Sequence, residues 1–184
     1  MPEETRDNLP HEFIPAAFLP MCGGWSQNST LLQGIPRQLS QFAEIIIFTA
    51  SSASYADVVL DYLDPEKKLI SHRLYRQHCT LEKGYFLKDL RVVNRRLEDS
   101  VLVDNSPYCH ILQPENAIPI VPFYHFAKDR ELETLLEFLK SVTAAADTRT
   151  VIAQTYFWDR YIKEPGDPRK LFFKYYQKEK DPKE

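Results

Sequence analysis

Four polar side chains in this sequence have the types and positions that phosphoryl chemistry asks for. Thr49 stands near the end of a continuous apolar run, Glu44 to Ala50 (EIIIFTA). Asp104 closes a second run, Ser100 to Asp104 (SVLVD), with Asn105 next in line. Lys88 follows a shorter run, Tyr85 to Leu87. A threonine hydroxyl can donate a hydrogen bond to a phosphate oxygen. A lysine can neutralise a dianion and the charge that develops during transfer. An aspartate beside an asparagine offers hard oxygen donors suited to magnesium, which keeps several of its waters. Each group also has an ordinary structural reading: a strand-end cap for Thr49, a solvated ion pair for Lys88, a turn for Asp-Asn-Ser-Pro. What raises the chemical reading is that all of them fall at the ends of strand-like runs.

Those runs must be positioned by a sheet. Continuous β-branched and aromatic stretches such as 44–50 and 100–104 suit strands buried on both faces, as in a parallel sheet. Between them, Ser51 or Ser52 can cap a helix with Tyr55, Val58, Val59, Tyr62 and Leu63 at helical spacing, stopped by Asp64-Pro65. Residues 71–76 and 80–87 read as strands, with Lys83-Gly84 as a turn inside the second. Residues 89–97 read as a short helix. Residues 117–121 (AIPIV) form a strand whose Pro119 places it at an edge or an end. Asp129 opens an amphipathic helix with Leu132, Leu135, Leu136 and Leu139 on one face. Residues 144–161 hold a last helix, followed by a charged and aromatic tail. Strand and helix alternate as in a doubly wound α/β fold, where ligands sit at the carboxyl ends of the strands. That edge is where Thr49 and Asp104-Asn105 fall.

Bulk properties narrow the field. The 184 residues suffice for one domain with a sizeable core. A net charge of -3 gives no global field favouring nucleic acid or an anionic membrane. Neither a signal peptide nor an apolar run of about 20 residues is seen, so no membrane segment is expected. The three cysteines, Cys22, Cys79 and Cys109, make neither a CxxC pair nor an even disulfide set, which suits a reducing, nuclear or cytoplasmic setting. His78-Cys79 and Cys109-His110 are adjacent pairs rather than zinc knuckles. Residues 1–36, rich in proline and glycine, read as an irregular extension. Residues 37–145 read as the domain, and 146–184 as a closing helix and tail.

Residues 37–140 resemble the phosphatase domain shared by small C-terminal-domain phosphatases, Dullard-type nuclear-envelope phosphatases and mitochondrial presequence-receptor relatives, within the haloacid-dehalogenase superfamily. The residues carrying the resemblance are EIIIFTAS (44–51), YAD (55–57), LDPEKKLISHRLYRQHC (63–79), GYFLKDL (84–90), VLVDNSP (101–107) and PENAIPI (114–120). Beyond Lys140 the match is weak, although AADTRTVIA (145–153) resembles the helix that closes the domain. The resemblance implies a Rossmann-like parallel sheet with flanking helices. It implies that Thr49 contacts the phosphate and Lys88 stabilises it. Asn105 would bind magnesium directly and Asp104 through a water; Tyr55 and Arg76 would lie near the substrate. The implied partners are phosphoserine and phosphothreonine proteins; no nucleic acid is expected.

One departure decides the chemistry. The family's first motif is a strand ending in Asp-Leu-Asp-Glu-Thr, whose first aspartate is the nucleophile and whose second is the general acid and base. No Asp-x-Asp occurs in 1–184. Asp61 and Asp64 are separated by two residues and follow Thr49, on the wrong side of the sheet order. Loss of a nucleophile costs many powers of ten in rate. The motif-one strand also lies at the centre of the sheet in that superfamily. Without it, neighbouring strands would hold unpaired backbone groups, at about 1–3 kcal/mol each when buried. Residues 13–19 could fill the slot, but Pro15 and nearby Pro20 argue against a central strand. A chain lacking its central strand, with low thermal stability, is therefore expected. Three functions stay open: a phosphatase-like domain that binds without hydrolysing, a truncated or alternatively spliced form of an active enzyme, and a translocase-type or scaffold interaction module.

Overall fold

The computed structural model describes residues 16–19, 29–82, 84–120 and 131–156. In chain order the principal elements are β1 (Ala16–Leu19), α1 (Ser29–Leu39), β2 (Glu44–Phe48), α2 (Ala53–Leu63), β3 (Ile70–Leu74), β4 (Thr80–Glu82), β5 (Tyr85–Leu87), β6 (Ser100–Asp104), β7 (Ala117–Pro119), α3 (Glu131–Thr143) and α4 (Thr148–Tyr156). Short 3-10 turns link several of them. Five strands form one parallel sheet in the order β3-β2-β1-β6-β7, while β4 and β5 make a separate antiparallel hairpin. The fold is the expected α/β architecture, a parallel sheet with flanking helices.

The buried runs behave as their composition requires. In β2, alternate residues enter opposite layers: Ile45 and Ile47 join one apolar cluster, Ile46 and Phe48 the other. β6 repeats this, with Val101 and Val103 on one face and Leu102 on the opposite face. The larger cluster is capped by α2 through Ala56, Leu60 and Leu63, and by α3 through Leu135, Leu136, Leu139 and Val142. Each fully buried Ile or Leu side chain contributes about 1.5–3 kcal/mol.

The centre of the sheet corrects an expectation. β1 lies between β2 and β6, with Ala16 opposite Glu44 on one side and Ser100 on the other. The slot expected to be missing its strand is taken by Ala16–Leu19. Proline is excluded from central strands because it cannot donate to the ladder. Here Pro15 and Pro20 fall just outside the four paired residues, so none of the strand's own donors is lost. The expected row of unpaired backbone groups, and the low thermal stability argued from it, lose their basis.

The irregular extension expected over 1–36 is likewise corrected, since it contains β1 and most of α1. α1 runs through Pro36; a proline inside a helix removes one hydrogen bond without forbidding the helix. On α2 the spacing of Tyr55, Val58 and Tyr62 is helical, but this face is exposed. The short helix expected over 89–97 is a 3-10 turn, Leu90–Val93, ended by Asn94 in the left-handed conformation at φ 52°. Pro119 ends β7 at the sheet edge, as its ring demands. Asp129 and the aromatic tail beyond Tyr156 lie outside the described residues.

Candidate functional site

Parallel pairing brings the carboxyl ends of β2 and β6 to one edge, and the groups that follow them converge there. A pocket of about 360 Å³ opens at this edge, lined by Thr49, Ser51, Lys88, Asp104, Asn105 and Ser106, with an aromatic wall of Tyr85, Phe86 and Tyr108. Thr49, Lys88, Asp104 and Asn105, far apart in the chain, thus share one cavity.

Each is held by its local backbone. The Thr49 N–H donates to Leu74 O at 2.9 Å, and its hydroxyl oxygen accepts from the Ser51 N–H at 3.1 Å. The structural reading of a strand-end threonine therefore holds, and it leaves the hydroxyl proton to be donated. Lys88 follows the buried Leu87 of β5. Just after it, Asp89 caps the 3-10 turn by accepting from the Arg91 N–H. Gln113 brackets this turn from the far side: its Oε1 accepts from the Leu90 N–H at 3.1 Å and its Nε2 donates to Asp89 Oδ1 at 3.0 Å. Lys88 is 4% exposed, and its ammonium donates to Asp104 Oδ2. Burial works against the Lys88 charge, but the facing Asp104 carboxylate outweighs it and holds the ammonium above its usual range. The other Asp104 oxygen accepts from the Ser106 N–H at 2.7 Å.

Two thiols and an imidazole lie close by, and burial keeps them neutral at pH 7. Burial pushes the Cys109 thiol up to about 12 and the Cys79 thiol up as well. Burial pushes the His110 imidazole down to about 4. Neither ring nitrogen of His110 has a hydrogen-bond partner among the described residues.

Two expected site residues lie apart from the pocket floor. Arg76 is exposed at its rim: its Nε donates to Ala50 O at 2.7 Å, and its guanidinium sits 5.3 Å from the centre of the Phe86 ring. Tyr55 is 59% exposed on α2 and does not line the cavity. Asp61 of α2 and Asp64 at its cap are committed elsewhere. Asp61 pairs with Arg73 at 2.8 Å, and Asp64 accepts from the N–H groups of Lys68, Leu69 and Ile70. Neither reaches the cavity.

Sequence reasoning missed the aromatic wall. Tyr85 and Tyr108 stack with ring centres 4.0 Å apart and planes 12° from parallel. They come from the β4–β5 hairpin and from the turn after β6, so no local pattern pairs them.

Asp104 and Asn105 are the described donors with magnesium character. Among the described residues, no group of three or more His, Cys, Asp or Glu side chains is placed to hold a metal. One carboxylate and one amide oxygen suit magnesium when waters and phosphate oxygens complete its shell.

The chain is 42% identical over 116 residues to CTD nuclear envelope phosphatase 1 of Xenopus laevis, covering 63% of this chain and 48% of that protein. It is 38% identical over 120 residues to CTD small phosphatase-like protein 3 of Caenorhabditis elegans, covering 65% and 42%. The chain thus spans less than half the length of these curated relatives. The solved structure of Fcp1, an essential RNA polymerase II CTD phosphatase, aligns at 22% identity with a TM-score of 0.44, covering 78% of this chain and 40% of that one. The family model for NLI interacting factor-like phosphatases matches residues 31–149, well over half of the sequence, and the chain belongs to that family.

Proposed function

We propose that this chain holds phosphoserine or phosphothreonine segments of other proteins without hydrolysing them. One observation carries the reading: a buried lysine and a strand-end threonine line one pocket, while the chain that leaves β1 offers no carboxylate nucleophile. From Pro20 to Asn28 that chain reads Pro-Met-Cys-Gly-Gly-Trp-Ser-Gln-Asn, without a carboxylate. In the active members that the motifs resemble, the strand at this place in the sheet ends in the aspartate pair.

The roles follow from the chemistry. The Thr49 hydroxyl donates to a phosphoryl oxygen, and the Lys88 ammonium supplies the opposing charge. Arg76, at the rim, can pair with a second anionic group on the bound segment. Asp104 and Asn105 would hold magnesium, which would neutralise the phosphoryl charge when bound. Tyr85 and Tyr108 present an apolar wall to the carbon atoms beside the phosphate.

The test joins binding to turnover. A phosphoserine peptide should bind in magnesium buffer, its unphosphorylated form should not, and Lys88→Ala should abolish binding. Hydrolysis of para-nitrophenyl phosphate should stay at the buffer rate. Magnesium-dependent turnover that Lys88→Ala removes would sink the inert reading.

A further inference from the structure

α2 presents to solvent a row of side chains whose types suit burial. Its core face is supplied by Ala56, Leu60 and Leu63, which join the larger apolar cluster. On the outward side Tyr55, Val58 and Tyr62, at i, i+3 and i+7, form one row along the helix; they are 59%, 72% and 60% exposed. Single exposed apolar residues are ordinary, whereas a continuous row of large ones marks a surface that a partner covers. An acidic row adjoins it, since Asp61 stands three residues beyond Val58 and next to Tyr62. Asp57 and Asp61 share Arg73 at 2.8 Å from each, and Lys67 meets Asp61 only at 4.0 Å, in solvent. Among the described residues these contacts and that of Tyr75 fall on Oδ1, which leaves the second oxygen of each carboxylate for a further cation.

The same chain contains a segment of matching chemistry. Residues 169–178 (RKLFFKYYQK) hold five apolar or aromatic side chains, four cations and no carboxylate. They follow Tyr156, the last described residue, after a connector of residues 157–168. An extended connector of that length spans at most about 40 Å. The distance to be covered is shorter. α4 packs against β6 and β7, and Ile152 of α4 shares the larger cluster with Leu60 of α2, so both helices lie on one face of the sheet. The edges of that sheet, β3 and β7, are about 19 Å apart at the usual strand spacing of about 4.8 Å. The segment therefore reaches α2 without passing round the sheet.

We infer that residues 169–178 dock on the outward face of α2 of their own chain, aromatic side chains over Tyr55, Val58 and Tyr62, cations beside Asp57 and Asp61. The tether decides between this chain and a second copy. A linked segment faces its site at an effective concentration on the order of millimolar, above that of a second chain in dilute solution. The two kinds of contact support each other: the apolar row supplies buried area, and the carboxylates set which way the segment lies. The inference does not depend on what the pocket binds.

The experiment joins cross-linking to hydrogen exchange on the full chain. A carbodiimide couples lysine amines to carboxylates in direct contact. In an equal mixture of unlabelled and isotope-labelled chains, the expected links run from Lys170, Lys174 or Lys178 to Asp57 or Asp61, each within a single chain. Amides of residues 169–178 should exchange at least about tenfold more slowly in the parent than in Val58→Glu, which sets a charge in the apolar row. Val58 is exposed, so this variant keeps its fold, as circular dichroism would check. Phe172→Ser, on the segment itself, should release the same protection. Links that mix the two isotopes would make a second copy the occupant and overturn docking within the chain. No link to α2, with equal exchange in parent and Val58→Glu, would overturn it as well. So would protection that arises only with phosphatidylserine vesicles, which would make the segment a membrane contact.

Discussion

His110 closes the 3-10 turn that follows β6, is 1% exposed, and has no hydrogen bond at either ring nitrogen among the described residues. Burial takes its pKa from 6.5 down to about 4. Because the folded value is the lower one, the unfolded chain binds the extra proton between these limits. The folded state keeps the full benefit above pH 6.5 and loses it as pH falls toward 4. At pH 5 the unfolded chain holds about 0.9 proton more at this site, which gives a slope of about 1.2 kcal/mol per pH unit. The accumulated loss from pH 7.5 to 5 is then about 2 kcal/mol, a large part of a net stability of about 5–15 kcal/mol. The carboxylates held low by hydrogen bonds and ion pairs, such as Asp57, Asp89 and Asp147, add slope of the same sign. They do so mainly below about pH 5, where the unfolded chain takes up their protons. Urea unfolding followed by circular dichroism at pH 7.5, 6.5, 5.5 and 5 would measure the loss. His110→Leu removes both the titration and the two unpartnered nitrogens. It should be at least as stable as the parent at pH 7.5 and nearly flat down to pH 5. A parent stability constant within about 0.5 kcal/mol over that range, or an unchanged slope in the leucine variant, would refute the reasoning.

Other perturbations follow from named contacts. Asp64→Ala takes the acceptor from three backbone N–H groups and should cost about 2–4 kcal/mol in urea unfolding, a loss far above that of a surface substitution. Gln113→Ala frees the turn that carries Lys88; phosphoserine affinity should fall severalfold in titration while the sheet still folds. Tyr85→Ala removes one ring of the stacked wall, so affinity for a phosphopeptide should drop by about 1 kcal/mol with inorganic phosphate affinity unchanged. Leu60→Ala opens a cavity under α2 and should cost about 2–5 kcal/mol in the same unfolding assay.

Much of this was legible in the residues. β2 and β6 are continuous apolar runs whose composition leaves few alternatives, and a parallel sheet carries Thr49 and Asp104 to one edge as a matter of direction. The hairpin was marked by Lys83-Gly84, and Gly84 adopts φ 86°, which a side chain would oppose. What stayed hidden depends on partners distant in the chain. Ala16–Leu19 is too short to show a period between two prolines, and only its neighbours make it a strand. Most of α1 falls in the stretch whose prolines, glycines and polar run read as loop, and the outward face of α2 carries aromatic residues that look like core. The mutual pairing of Lys88 and Asp104 and the orphaned state of His110 are tertiary facts, with no signature in spacing.

The placement of β1 sets the order in which this molecule can assemble. β2 with β3, and β6 with β7, are pairs of strands close in the chain, so each half-sheet can form from short loops. No strand of one half is hydrogen-bonded to a strand of the other except through β1, whose far neighbour begins at Ser100. Closing so long a loop is entropically late, and contacts of that span slow the approach to the native state. Four residues are therefore the seam of the domain: they join its two halves last, and a change there should be felt first in how fast the chain folds.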